Sequence, residues 1–168
     1  PENAYQSILS FQEDLLFGTM IRAVHHWSAN LLVAAALFHL LRVFFTVGFH
    51  GPRRFNWVIG LGLLAGILAA NFTGYLLPWD QLSYWAVTIC TGMLGYVPAV
   101  GPWLQAFARG GPTIGRGTLV LFYSFHTTVV PVFLIVLMAF HFWRVRKARG
   151  VVSPHPDDQS GEDDTEMV

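Results

Sequence analysis

Residues 21–41, IRAVHHWSANLLVAAALFHLL, decide the fold. After Arg22 the stretch carries no formal charge, and it is long enough to cross a bilayer, which takes about 20 apolar residues. It nevertheless holds three histidines, His25, His26 and His39. At about 100° per residue, the 14 steps from His25 to His39 end about 40° short of four turns, after a rise of about 21 Å. These two imidazoles therefore share one helix face at two membrane depths. His26 lies about 140° off the His39 direction, so His25 is the better partner.

The rest of the chain agrees with a membrane setting. Its 168 residues are 54% hydrophobic and only 12% charged, against about 25% charged in an ordinary globular domain. Net charge is zero, which gives no argument for a nucleic-acid partner. Three acids, Glu2, Glu13 and Asp14, precede the first apolar run, and six more crowd residues 157–166; Asp80 is the only acid between. A single cysteine, Cys90, excludes an internal disulfide framework and a CxxCH haem attachment; its apolar context predicts a small buried residue. The chain begins with Pro1 and shows no signal-peptide pattern, which suggests an N-terminus that is missing or processed.

Three stretches qualify as spans: Ile21 to Phe49, interrupted by Arg42; Trp57 to Trp79; and Thr118 to Trp143. A fourth uncharged stretch, Tyr84 to Phe107, is broken by Gly92, Gly95, Pro98, Gly101 and Pro102. It reads as short helices at the membrane interface. With three spans, Arg42, Arg53 and Arg54 share a face with Arg144, Arg146, Lys147 and Arg149, and the positive-inside rule makes that face the negative side. A fourth span would separate these clusters. Residues 1–17 read as an amphipathic helix on the positive side, and residues 151–168 as a solvated acidic tail beyond a membrane domain at 1–150. The predicted fold class is all-α: an integral membrane bundle of three transmembrane helices plus interfacial helices.

The third span carries His126 and His141, 15 residues apart. That spacing leaves about 60° of excess rotation, which a kink at Pro131 can relax. The first and third spans run in the same direction, so His25 should face His126 near the positive side and His39 should face His141 near the negative side. Two such pairs define two bis-histidine haem sites, and six-coordinate iron suits electron transfer. The plainer reading is four buried histidines bonded to neighbouring helices. Ionisable groups at membrane depth are costly and normally functional, and four in register argue against coincidence.

Gly60 and Gly74, 14 apart on the second span with Gly62 and Gly66 between them, offer positions where a haem edge can approach, or where helices simply pack closely. Arg22 and Arg42 each stand three residues from a histidine; they can pair with haem propionates or snorkel to the headgroups. The segment GYLLPWDQLSYWA (74–86) places aromatic and amide groups at the positive-side interface. These suit a quinone ring, or form an interfacial aromatic belt. Asp80 within it has two readings. Near a dry pocket its pKa would rise and it could relay protons; otherwise it caps the next helix or pairs with Arg109 or Arg116.

The pieces IRAVHHWSAN (21–30), LFHLLRV (37–43), GYLLPWDQLSYWA (74–86), LFYSFHT (121–127) and AFHFWRVRK (139–147) resemble, in order and spacing, the N-terminal haem-bearing part of the cytochrome b/b6 family. The resemblance covers roughly residues 4–153, and the 15-residue spacing looks like the b6 branch. It implies two non-covalent haem b groups, the low-potential one on His25 and His126 and the high-potential one on His39 and His141. It implies quinol oxidation near the PWDQ segment, with Tyr75, Pro78, Trp79, Asp80 and Tyr84 as quinone-site candidates. It also implies quinone reduction on the negative side, where Arg53 and Arg146 match positions near haem or quinone.

The partners so implied are a Rieske-type iron–sulfur protein, a c-type cytochrome and a separate subunit with a PEWY motif, in a dimeric complex of a bacterial cell membrane or a thylakoid. The family has a further upstream helix that completes a four-helix bundle and, in the b6 branch, carries a covalent third haem; without it the haem bundle here is incomplete. Two rival readings are a di-haem membrane anchor of a quinone-linked dehydrogenase or hydrogenase, and a haem-free structural or transport bundle. The PWDQ segment disfavours the anchor.

Overall fold

In the computed structural model, residues 3–148 are described, and the acidic tail, Arg149 and His155 lie outside them. Among the described residues the chain is all helix. The elements are α1 (Ala4–Asp14), α2 (Gly18–Phe45), a 3-10 turn (Gly51–Arg53), α3 (Arg54–Leu76), α4 (Gln81–Leu94), α5 (Gly101–Arg109), α6 (Arg116–Ser124), a π-helical turn (Phe125–Val129) and α7 (Val130–Lys147). Three continuous helical segments are long and apolar enough to cross a membrane: Gly18–Phe45, Arg54–Leu76 and Arg116–Lys147. The chain is an integral membrane protein.

Helix α3 is the centre of the bundle and packs against both α2 and α7. Its buried strip, Ile59, Leu63, Gly66, Ile67, Thr73 and Leu76, follows the helical repeat. At Gly66 an added Cβ would stand 2.7 Å from the Leu134 side chain and 3.2 Å from Phe133, so this small residue sets how closely α3 and α7 approach. Elsewhere the spans present large apolar side chains outward, Phe38 and Ile135 among them. Such a surface suits hydrocarbon, and helices satisfy their backbone polar groups internally there.

The helix ends have local causes. Pro78 follows α3 closely and stops it. The next residue, Trp79, takes a left-handed conformation with φ 55°, which costs a bulky L-residue roughly 1–2 kcal/mol. That reversal sets Asp80 at the N-cap of α4, where its Oδ1 accepts from Ser83 N–H at 2.8 Å. Helix α5 ends at Gly110, also left-handed at φ 67°, the common glycine stop.

The membrane boundaries differ from the sequence expectation by a few residues. The first span starts at Gly18 and ends at Phe45, because the chain turns through Thr46–Phe49 instead of continuing. The second starts at Arg54, three residues before Trp57. Residues 4–14 form the expected N-terminal helix, and Arg22 donates to Gln12 Oε1 at 3.2 Å to hold it against α2. The glycine- and proline-broken stretch forms two short helices, α4 and α5. Cys90 corrects the expectation of burial. It is exposed, because α4 buries only the strip Ser83, Val87 and Thr91.

Candidate haem and quinone sites

The four histidines meet in two pairs. The rings of His25 and His126 stand 6.0 Å apart, centroid to centroid, with planes at 83°. Those of His39 and His141 stand 6.4 Å apart at 81°. A metal–imidazole bond is about 2 Å and the ring centre lies about 1 Å beyond its nitrogen, so imidazoles on opposite sides of one ion stand about 6 Å apart. Both separations match that span. His26 does not join; its Nε2 lies 3.4 Å from Asn30 Nδ2.

Helix α3 orients the two histidines of the third span. His126 Nδ1 donates to the Ala70 carbonyl at 3.0 Å and lies 3.2 Å from Thr73 Oγ1. A carbonyl only accepts, so Nδ1 carries the proton and Nε2 keeps its lone pair for a metal, the usual outer-shell arrangement. The corresponding carbonyl 14 residues earlier, that of Asn56, faces His141 but falls short of a hydrogen bond, and His141 Nδ1 is buried without a partner.

The glycines explain the fit. A Cβ at Gly74 would stand 2.6 Å from His126 Cε1 and 3.1–3.2 Å from both its ring nitrogens. A Cβ at Gly60 would stand 3.5 Å from His141 Cε1, ordinary contact. Gly74 therefore gives room to a histidine ring, whereas the sequence offered a haem edge or close helix packing for both glycines. Gly62 meets Leu137 in the same seam.

A cavity of about 390 Å³ opens between α2, α3 and α7 around His39 and His141. Its lining is mainly apolar, with Leu32, Leu40, Leu63 and Met138 on the wall and Gly60 at the α3 face. At the end near the start of α3 it holds Arg53 and the buried, unpartnered Trp57 Nε1 and Asn56 Oδ1. An apolar macrocycle with two carboxylates fits this donor set: imidazoles for the iron, a greasy wall for the ring, an indole N–H and a guanidinium for a propionate. Trp57 was missed by sequence reasoning; its place at the start of a span, three residues before Gly60, was the available signal. Arg53 is buried and also donates to the Ala148 carbonyl at 3.2 Å, closing the end of α7. Arg42 and Arg146 are exposed on the same side.

At the other end, Tyr75 lines a cleft of about 370 Å³ with Asn30, Val33, Leu68, Asn71 and Phe72. Trp79 meets Tyr84 edge-on at 6.4 Å, and Pro78 completes the corner between α3 and α4. Asp80 is not a poised base. The Ser83 backbone N–H holds its carboxyl below the ordinary carboxylate range, overcoming a smaller upward push from burial, with the Ser83 hydroxyl and more distant Arg22 adding to the lowering. The expected rise fails because capping puts two donors of Ser83 on Asp80 Oδ1, both at 2.8 Å. Among the described residues Asp80 forms no ion pair with Arg109, which donates to Thr91 Oγ1 at 2.9 Å.

The family model "Cytochrome b/b6/petB" matches residues 2–149. The chain belongs to the cytochrome b/b6 family. It is 42% identical over 151 residues to proteins named cytochrome b6 from Prochlorococcus marinus (strain NATL1A) and Synechococcus sp. (strain WH7803), covering 90% of this chain and 69% of each of them. A chain in the solved structure of a hyperthermophilic respiratory Complex III superposes with a TM-score of 0.77 at 27% identity. The match covers 93% of this chain and 44% of that one, so the chain spans less than half of that structural relative.

Proposed function

We propose that this cytochrome b/b6-family chain is the haem b subunit of a quinol-oxidising complex, carrying electrons between the two membrane faces. The observation that supports it is the pair of facing histidine pairs, 6.0 and 6.4 Å apart, with the 14 residues from His25 to His39 separating the pairs by about 21 Å along the helix axis. When bound, two haem b groups supply one-electron carriers at two depths. His25 and His126 hold the low-potential group and His39 and His141 the high-potential one. Gly74 leaves room for the His126 imidazole, Gly60 lies against that of His141, and Ala70 O fixes the His126 tautomer.

Quinol is taken at the positive-side corner, where Tyr75, Pro78, Trp79 and Tyr84 present aromatic surface. Asp80 holds that corner in shape, and its lowered pKa makes it a weaker base for the quinol proton than an ordinary carboxylate. Arg22 and Arg42 neutralise propionates from α2. Arg53 does so from the cavity end, and Arg146 serves quinone on the negative side. A Rieske-type protein, a c-type cytochrome, a PEWY-bearing subunit and a dimeric assembly complete the reading. A bacterial cell membrane fits it better than a thylakoid.

The test is a dithionite-reduced optical spectrum of the purified complex with a quinol–cytochrome c reductase assay on the same sample. Two b-type haems per chain and quinol-dependent reduction support the proposal. Haem without quinol-dependent reduction of any c-type cytochrome or plastocyanin would favour a dehydrogenase anchor, and no α-band would remove the haem reading.

A further inference from the structure

His126 and His141 are 15 residues apart, one more than His25 and His39. On an uninterrupted α-helix those spacings end about 60° past and about 40° short of four turns, a mismatch of about 100°. If the mismatch stood, one pair could face only by turning the other away. The rings nevertheless meet at nearly equal separations, 6.0 and 6.4 Å, and nearly equal angles, 83° and 81°. The kink expected at Pro131 does not account for this, because a kink bends an axis without removing a residue's rotation.

The account lies in the turn just before the proline. Phe125–Val129 is π-helical, and Val130 N–H donates to the Phe125 carbonyl, five residues back. Such a turn holds one residue more than an α turn. Because it falls almost wholly between the two histidines, the path from His126 to His141 turns and rises much as 14 α-helical residues would. Helix α3 keeps the same 14-residue repeat, with Gly74 against His126 and Gly60 against His141.

We propose that this π turn is the positioning device that absorbs the fifteenth residue and sets His126 in register with His25, with Thr127 and Thr128 supplying the extra length. The proposal rests on reading His126 and His141 as haem ligands. Pro131 makes the location favourable. It has no N–H and its ring crowds the carbonyl four residues back, so the α ladder is already interrupted where the turn widens. Thr127 Oγ1 donates to the Tyr123 carbonyl at 2.8 Å and Ser124 Oγ to Val120 O at 2.9 Å, which ties the preceding turn.

The experiment deletes single residues in the native complex and reads the reduced haem band and its redox titration. Deleting Thr128 should close the wide turn to α geometry and keep both haem components, with amplitudes within about twofold of the parent, because the register survives. Deleting Ala34 from α2, which has no wide turn to lose, should remove one component or both. His126→Ala fixes the component that belongs to that site. If the Thr128 deletion loses that component as His126→Ala does, or is absent from the membrane while the Ala34 deletion fares no worse, the register proposal is overturned alone. If His126→Ala keeps both components, the ligand assignment fails and the register proposal with it.

Discussion

At the scale of single residues, Gly74 and Gly60 separate two effects that the sequence shows as one. Both face histidines of the third span, but an added methyl meets the His126 ring at 2.6 Å and the His141 ring at 3.5 Å. Overpacking a tight site costs about 1–3 kcal/mol. Gly74→Ala should therefore displace His126 and deplete that haem, whereas Gly60→Ala should leave the other nearly full. Haem-to-protein ratios of the two variants check this, and equal depletion would argue against the contact. Asp80 gives a second expectation. Its folded pKa is lowered, so its contribution to stability is complete above the ordinary carboxylate range and is lost only as pH falls through the lower folded value. Quinol oxidation by Asp80→Asn should keep the parent's pH profile near neutrality, while the variant is less stable there and the difference shrinks as pH falls into acid. A shifted neutral limb would restore the relay role. Sequence could offer both readings of Asp80 but could not choose, because the choice depends on where Trp79's left-handed turn aims the carboxylate.

At the scale of elements, the corner between α3 and α4 is held through Ser83, which is almost fully buried. Its hydroxyl lies 3.0 Å from the Tyr75 carbonyl and 2.8 Å from Asp80 Oδ1, joining the end of one helix to the cap of the next. Ser83→Ala should strand buried acceptors at a cost of about 1–3 kcal/mol. Faster amide exchange in α4 than in α5 would show it, and unchanged α4 protection would contradict it. The existence of these helices was legible from apolar run lengths and from the glycines and prolines at 92–102. Their ends were not: the Thr46–Phe49 turn has as apolar a sequence as the helix before it. The π turn was equally hidden. A 15-residue spacing announces a misfit, but a bend at Pro131 and a widened turn before it read alike until backbone hydrogen bonds are assigned. The exposure of Cys90 depends on which face of α4 finds a neighbour, which apolarity alone does not say.

For the whole molecule, α3 is packed on two sides while α2 leans on α3 and α1, with His25 and His39 on an exposed flank. Haem bound between α2 and α7 would thus supply much of what joins them, as metal binding couples to folding elsewhere. Removing haem from the detergent-solubilised complex should raise amide exchange in α2 well above that in α3; equal protection of both would count against this coupling. The span count and the pairing of distant histidines both followed from apolar run lengths and helical periodicity, since a bilayer leaves few alternatives. The cavity's polar end was less legible, because Trp57 and Asn56 look like ordinary interfacial residues until their buried, unpartnered atoms are seen around His141. The most direct test of two stacked bis-histidine haems is a potentiometric titration of the reduced band in the complex carrying His126→Ala or His39→Ala. The account predicts two steps in the parent, loss of the lower-potential step with His126→Ala and of the higher-potential step with His39→Ala. Loss of the same step in both variants, or of neither, would contradict it.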